Sequence, residues 1–161
     1  MVKPVLVFGY GNLSRGDDAL GPLLLGYIEE YLKSDDIELL SDFQLQIEHA
    51  LDLPNRELVL FVDASVACRP PFELAELKAI QDLSYTTHAM SPSAVLAVYQ
   101  AVTKQIPPPS FLLSIKGESF ELGEGLSVCA ERHLAEAFNF VDQLMDNLSL
   151  TAWRQFCLPR C

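Results

Sequence analysis

Apolar and polar positions alternate along this chain in two rhythms. Residues 5–8 (Val-Leu-Val-Phe) form a continuous apolar run of the kind found in strands buried on both faces. Over 19–33, Leu20, Leu23, Leu24, Tyr27, Ile28 and Tyr31 recur at helical spacing. A strand over 37–40 ending at Ser41-Asp42, a short helix over 45–53 and a strand over 58–62 ending at Asp63 follow. After the breaker Arg69-Pro70-Pro71, residues 72–77 alternate as a half-exposed edge strand does. Ser91-Pro92 reads as an N-cap with proline at the first helical position, opening an apolar helix over 94–102. Three prolines, 107–109, precede a strand over 111–115. Ser127 then caps a long helix to about residue 148, with Val128, Leu134, Ala137, Phe138, Val141 and Leu144 on its inner stripe.

Strands alternating with helices predict a three-layer α/β/α sandwich around a mostly parallel five-stranded sheet with one antiparallel edge. The expected domain spans 1–150, with 151–161 as a C-terminal tail; nothing local decides whether Trp153, Phe156 and Leu158 dock or stay free.

In open parallel sheets, ligands bind beyond the carboxyl ends of the strands. The turn Gly9-Tyr10-Gly11-Asn12-Leu13-Ser14-Arg15-Gly16-Asp17-Asp18 follows the first strand, Asp63 ends the third, and His88 lies in the loop before Pro92. A reversal alone needs no adjacent carboxylates, which can cap backbone N–H groups or hold a metal. Two carboxylates and an imidazole delivered from separate loops make a three-ligand metal site with open positions. Asp18 also reads as a simple helix cap and His88 as a surface residue. Asp63, beside five apolar residues, needs a partner for its charge. Gln44, Glu48 and His49 follow the second strand and border the same edge, or form an ordinary polar helix face. His133 reads as part of a solvated face.

The chain's 161 residues, half of them hydrophobic, suit one domain with a sizeable core. A formal charge of −11 argues against nucleic-acid partners and suits cations or basic peptides. Gly9-Tyr10-Gly11 lacks the third glycine of a dinucleotide fingerprint, and Asp17 and Asp18 would repel a pyrophosphate. Neither a GxSxG elbow nor a P-loop is present. Cys68, Cys129, Cys157 and Cys161 show no zinc-finger spacing and read as free thiols; a pairing of Cys157 with Cys161 is the minor alternative. With neither a secretory signal nor a membrane span, the expected location is the cytoplasm.

The motifs, taken in order, resemble the hydrogenase maturation proteases, endopeptidases that trim the C-terminus of nickel-iron hydrogenase large subunits. The resemblance rests on Gly9-Tyr10-Gly11-Asn12, Arg15-Gly16-Asp17-Asp18 with Gly21, Val62-Asp63-Ala64, the His88 loop, and Ile115-Lys116-Gly117 with Gly123-Glu124-Gly125-Leu126-Ser127. Ala19 departs from the glycine of many members.

The resemblance implies an aspartic-type grouping and that Asp18, Asp63 and His88 are catalytic and contact nickel. That nickel is carried by the precursor as a recognition signal; no organic cofactor is implied. Asp17 becomes a supporting residue, and Gly11, Asn12, Asp17, Gln44 and Glu48 the expected substrate contacts. The segment 44–50 is similar to the branch serving soluble, NAD-reducing or related cytoplasmic hydrogenases, in which Gln44 and Glu48 would help recognise the partner. The implied partner is the large-subunit precursor, met by a monomer without nucleic acid or membrane. A nickel-handling or precursor-binding chaperone and an unrelated metal-dependent hydrolase of a small substrate are the alternatives.

Overall fold

The computed structural model describes residues 2–80 and 90–157. Five strands, β1 (Val5–Tyr10), β2 (Ile37–Asp42), β3 (Leu58–Ser65), β4 (Phe72–Glu76) and β5 (Ser110–Lys116), form one sheet in the order β2-β1-β3-β5-β4. All pairs are parallel except β4 against β5, the expected antiparallel edge. The helices are α1 (Leu20–Tyr31), α2 (Pro92–Thr103), α3 (Val128–Asp146) and α4 (Leu150–Phe156).

Strand periodicity divides the core into two layers. Val5 and Val7, Leu58, Leu60 and Val62, and Phe111, Leu113 and Ile115 face α1, α3 and α4. Leu6, Phe8 and Tyr10 with Val59 and Phe61 face α2 and the short helix after β2. Both faces of the central strands are therefore covered, as their unbroken apolar runs require.

The caps behave as their residue types dictate. Ser91 Oγ accepts from the Ala94 N–H and Ser127 Oγ from the Ala130 N–H, each at 3.1 Å, with Pro92 at the first turn of α2.

Several expectations are corrected. The short helix expected over 45–53 is a 3-10 helix confined to 47–52, and β3 runs past Asp63 to Ser65. Val128 sits on the solvent side of the first turn of α3, and Ala130 takes the inner position. In the tail, where nothing local decided between docking and freedom, α4 inserts Trp153, 0% exposed, beneath the sheet, its ring edge-on to Phe111 at 5.4 Å. Its indole N–H donates to the Leu144 carbonyl at 3.0 Å, so the ring buries area without orphaning its polar atom. Leu158 and Cys161 lie outside the described residues, while Cys68, Cys129 and Cys157 are free thiols.

Trp153→Ala is expected to lower the unfolding free energy by about 3–5 kcal/mol, measured by urea denaturation of the full chain. A loss below about 1 kcal/mol would mean that α4 contributes little to the core.

Candidate active site

The strand order reverses between β1 and β3: the chain leaves β1 toward β2 on one side and returns to place β3 on the other. This switch point leaves a crevice above the carboxyl ends of β1 and β3, the position ligands take in open α/β sheets. Two glycines let the turn after β1 settle there. A Cβ on Gly21 would stand 2.7 Å from the Tyr10 carbonyl and 2.8 Å from that of Val62, so only glycine lets the first turn of α1 rest on both strand ends. Gly11 has φ +144°, and a Cβ there would lie 2.0 Å from the Asp18 carbonyl oxygen.

The adjacent carboxylates take different tasks. Asp17 is 0% exposed and accepts four hydrogen bonds: from the backbone N–H groups of Glu118 (2.7 Å), Ser119 (3.2 Å) and Ser127 (2.7 Å), and from the Ser127 hydroxyl (2.8 Å). Burial alone would raise its pKa; the bonds from Glu118, Ser127 and Ser119 outweigh that and hold the carboxyl below its ordinary value. Asp17 thus clamps the loop 118–127 to the turn. It supports the site and has no surface through which to touch substrate, contrary to the expectation of a contact.

Asp18 is half-buried, and its Oδ2 accepts the Asn12 N–H at 2.8 Å. No side-chain cap bond is made to the 3-10 turn Gly16–Ala19 or to α1, which rules out the simple capping role. Its charge is felt at Asp63 across the crevice. Burial first, and then the negative charge of Asp18, push the Asp63 carboxyl from 3.8 up to about 7, against bonds from the Ala64 N–H and the Tyr10 hydroxyl. Burial, followed by the charge of Asp63, pushes the Tyr10 phenol well up, so it remains a donor.

Near neutrality Asp63, facing the charge of Asp18, is therefore poised between its protonated and ionised forms. Such a pair can pass a proton to and from a reacting group, or exchange the proton for a cation with oxygen-accepting chemistry. Among the described residues no group of three or more His, Cys, Asp or Glu side chains is placed to hold a metal ion. His88, the expected third ligand, lies outside the described residues.

Gly11 is buried and Asn12 half-buried beside Asp18; Gln44, half-buried, and Glu48, exposed, lie past the end of β2, one strand further from the crevice. His49 is a structural link that spacing alone did not mark. Its Nδ1 accepts the Gln46 N–H at 2.8 Å, its Nε2 lies 3.2 Å from Asp42 Oδ2, and its ring stands edge-on to Phe8 at 4.6 Å. His133 is not part of a solvated face: its Nδ1 donates to the Lys116 carbonyl at 2.8 Å and ties α3 to the end of β5. Tyr10, unremarked between two glycines, is the residue whose hydroxyl reaches Asp63. Its signal in the sequence is the odd choice of a phenol at a strand end facing a carboxylate.

A carboxyl with a raised native pKa binds more protons folded than unfolded between the two values, so it lowers stability as pH climbs from about 4 to about 7. Relative to the native protein, Asp63→Asn is expected to gain on the order of 1–3 kcal/mol of unfolding free energy between pH 5 and pH 8. Parallel urea-denaturation curves at the two pH values would contradict the shift.

No protein-family model and no curated protein matches the sequence. Solved structures do. The hydrogenase maturating endopeptidase HybD from E. coli is 25% identical, covering 88% of this chain and 92% of its own, with a TM-score of 0.68. The [NiFe] hydrogenase maturation protease HycI from Thermococcus kodakarensis KOD1 is 22% identical, with coverage of 91% and 94% and a TM-score of 0.66. The hydrogenase 2 maturation peptidase from Thaumarchaeota archaeon SCGC_AB-539-E09 is 23% identical, with coverage of 89% and 99% and a TM-score of 0.64. The chain thus has the fold of the nickel-iron hydrogenase maturation proteases over nearly its whole length.

Proposed function

We propose that this protein is an endopeptidase of hydrogenase maturation, removing the C-terminal peptide from a nickel-loaded large-subunit precursor. The observation that carries the proposal is the opposed carboxylate pair, Asp18 and Asp63, at the switch point of a fold shared with proteases of that process. Ionising a carboxyl whose pKa is pushed up to about 7 by burial and a like charge is costly unless a cation offsets the negative charge, and a divalent cation does so.

The cation is the nickel of the precursor, and so belongs to the substrate. Asp18, kept in place by the Asn12 N–H, and Asp63, steadied by Tyr10, would supply oxygen ligands. His88 is the proposed third ligand. Engaging the nickel fixes the adjacent peptide over the crevice, so that recognition becomes local concentration of the scissile bond. A water activated by a carboxylate and a carbonyl polarised by the metal are both within the reach of this donor set. Gln44 and Glu48, at the outer end of the same sheet edge, are the proposed contacts to the body of the precursor. We place the activity in a monomer in the cytoplasm; among the described residues no helix is long and apolar enough to cross a membrane.

Intact-mass spectrometry of a nickel-loaded precursor incubated with the protein tests this. Release of a C-terminal peptide is expected only when nickel is present, and Asp18→Asn or Asp63→Asn is expected to slow it by about 100-fold or more. A precursor of unchanged mass that still binds the protein would replace the protease with a chaperone. Equal processing of metal-free precursor would remove nickel from the account.

A further inference from the structure

Beside the Asp18 turn, a cleft of about 290 Å³ is lined by Gly11, Leu13, Pro22, Ser41, Asp42 and Phe43. It belongs to the outer side of β1, where β2 pairs with it, and the Asp18–Asp63 crevice lies on the other side. Leu13 and Phe43 are 61% and 71% exposed, so two large apolar side chains stand open on one concavity. Among the described residues that line it, Asp42 is the only ionisable group.

The Asp42 carboxylate is held in place. Its Oδ1 accepts the Phe43 N–H at 2.7 Å and its Oδ2 meets His49 Nε2 at 3.2 Å. Because His49 Nδ1 accepts the Gln46 N–H, the ring proton is assigned to Nε2; the imidazole is a neutral donor that orients Asp42 without cancelling its charge. Each oxygen keeps a lone pair, and the side chain is 42% exposed. The Gly11 N–H donates to the Asp42 carbonyl at 3.0 Å, making the cleft continuous with the turn that carries Asp18.

An oriented carboxylate between apolar walls matches one side chain better than others: a planar cation on an apolar stem. A guanidinium can engage both oxygens and lie against the Phe43 ring, while its methylenes cover Leu13 and Pro22. A chain charge of −11 favours the same partner at longer range.

We propose that this cleft is a subsite for an arginine side chain on an extended segment of the precursor, with Asp42 as the anion and Leu13, Pro22 and Phe43 as the walls. The identity of the protein bearing the arginine rests on the proposed function; the chemistry of the cleft does not.

The test is a two-dimensional ¹⁵N NMR titration of the full chain with acetyl-Leu-Arg-Leu-amide and with its citrulline analogue, which has the same shape without the charge. The arginine peptide is expected to shift Gly11, Leu13, Ser41 and Phe43 and to bind about fivefold tighter than the analogue, a preference that Asp42→Asn abolishes. Phe43→Ser, at an exposed position that leaves the core intact, is expected to weaken both peptides. Equal binding of the two peptides would overturn the subsite. So would a preference that survives Asp42→Asn, or no shift at these residues with up to about 10 mM peptide. Neither nickel nor cleavage enters the readout, so this failure and a failure of the protease assignment are seen separately.

Discussion

The site depends on one buried anion. Asp17 lies in an interior where an isolated carboxylate would cost several kcal/mol, and only its four hydrogen-bond donors make it tolerable there. Those donors come from the loop 118–127, and Ser127 both donates to Asp17 and caps α3. One carboxylate thus joins the turn after β1 to the loop after β5 and the start of the longest helix. The backbone follows: the Asp17 N–H donates to Ser119, the Gly16 N–H to Glu124 and the Gly123 N–H to Ser14. With both sides of the turn fixed, Asp18 cannot drift away from the crevice.

The electrostatics of the crevice invert those of the clamp. Asp17 has donors enough to stay ionised while buried, whereas Asp63 has two modest ones, from Ala64 and Tyr10, and a like charge opposite. Burial raises both carboxyls; at Asp17 the four donors outweigh it, whereas at Asp63 two donors do not and the charge of Asp18 adds to it. Stability near neutrality is sacrificed at Asp63, a cost common among perturbed carboxyls in clefts.

The strand pattern, the β4 edge and the caps at Ser91 and Ser127 were legible because each is local: apolar runs, a double proline, a serine before a helix. That Asp18 and Asp63 meet at one edge of the sheet was legible too, since a carboxylate beyond an unbroken apolar strand needs a reason. The role of Asp17 was not, because its partners lie 101–110 residues away and no local pattern encodes a bond of that length. Docking of Trp153 is likewise decided by Phe111 and Leu144, and the tether made by His133 by the Lys116 carbonyl. Val128 obeyed helical spacing, yet at the first turn the stripe had not yet reached the sheet.

Asp18 acts on Asp63 across the crevice, and the proposed function rests on that interaction. The most direct measurement is a ¹³C NMR titration of the Asp63 carboxyl carbon in the native protein and in Asp18→Asn. A midpoint of about 7 is expected, moving toward the ordinary carboxylate value when Asp18 loses its charge. A midpoint near 4 in the native protein, or one that ignores Asp18, would contradict it.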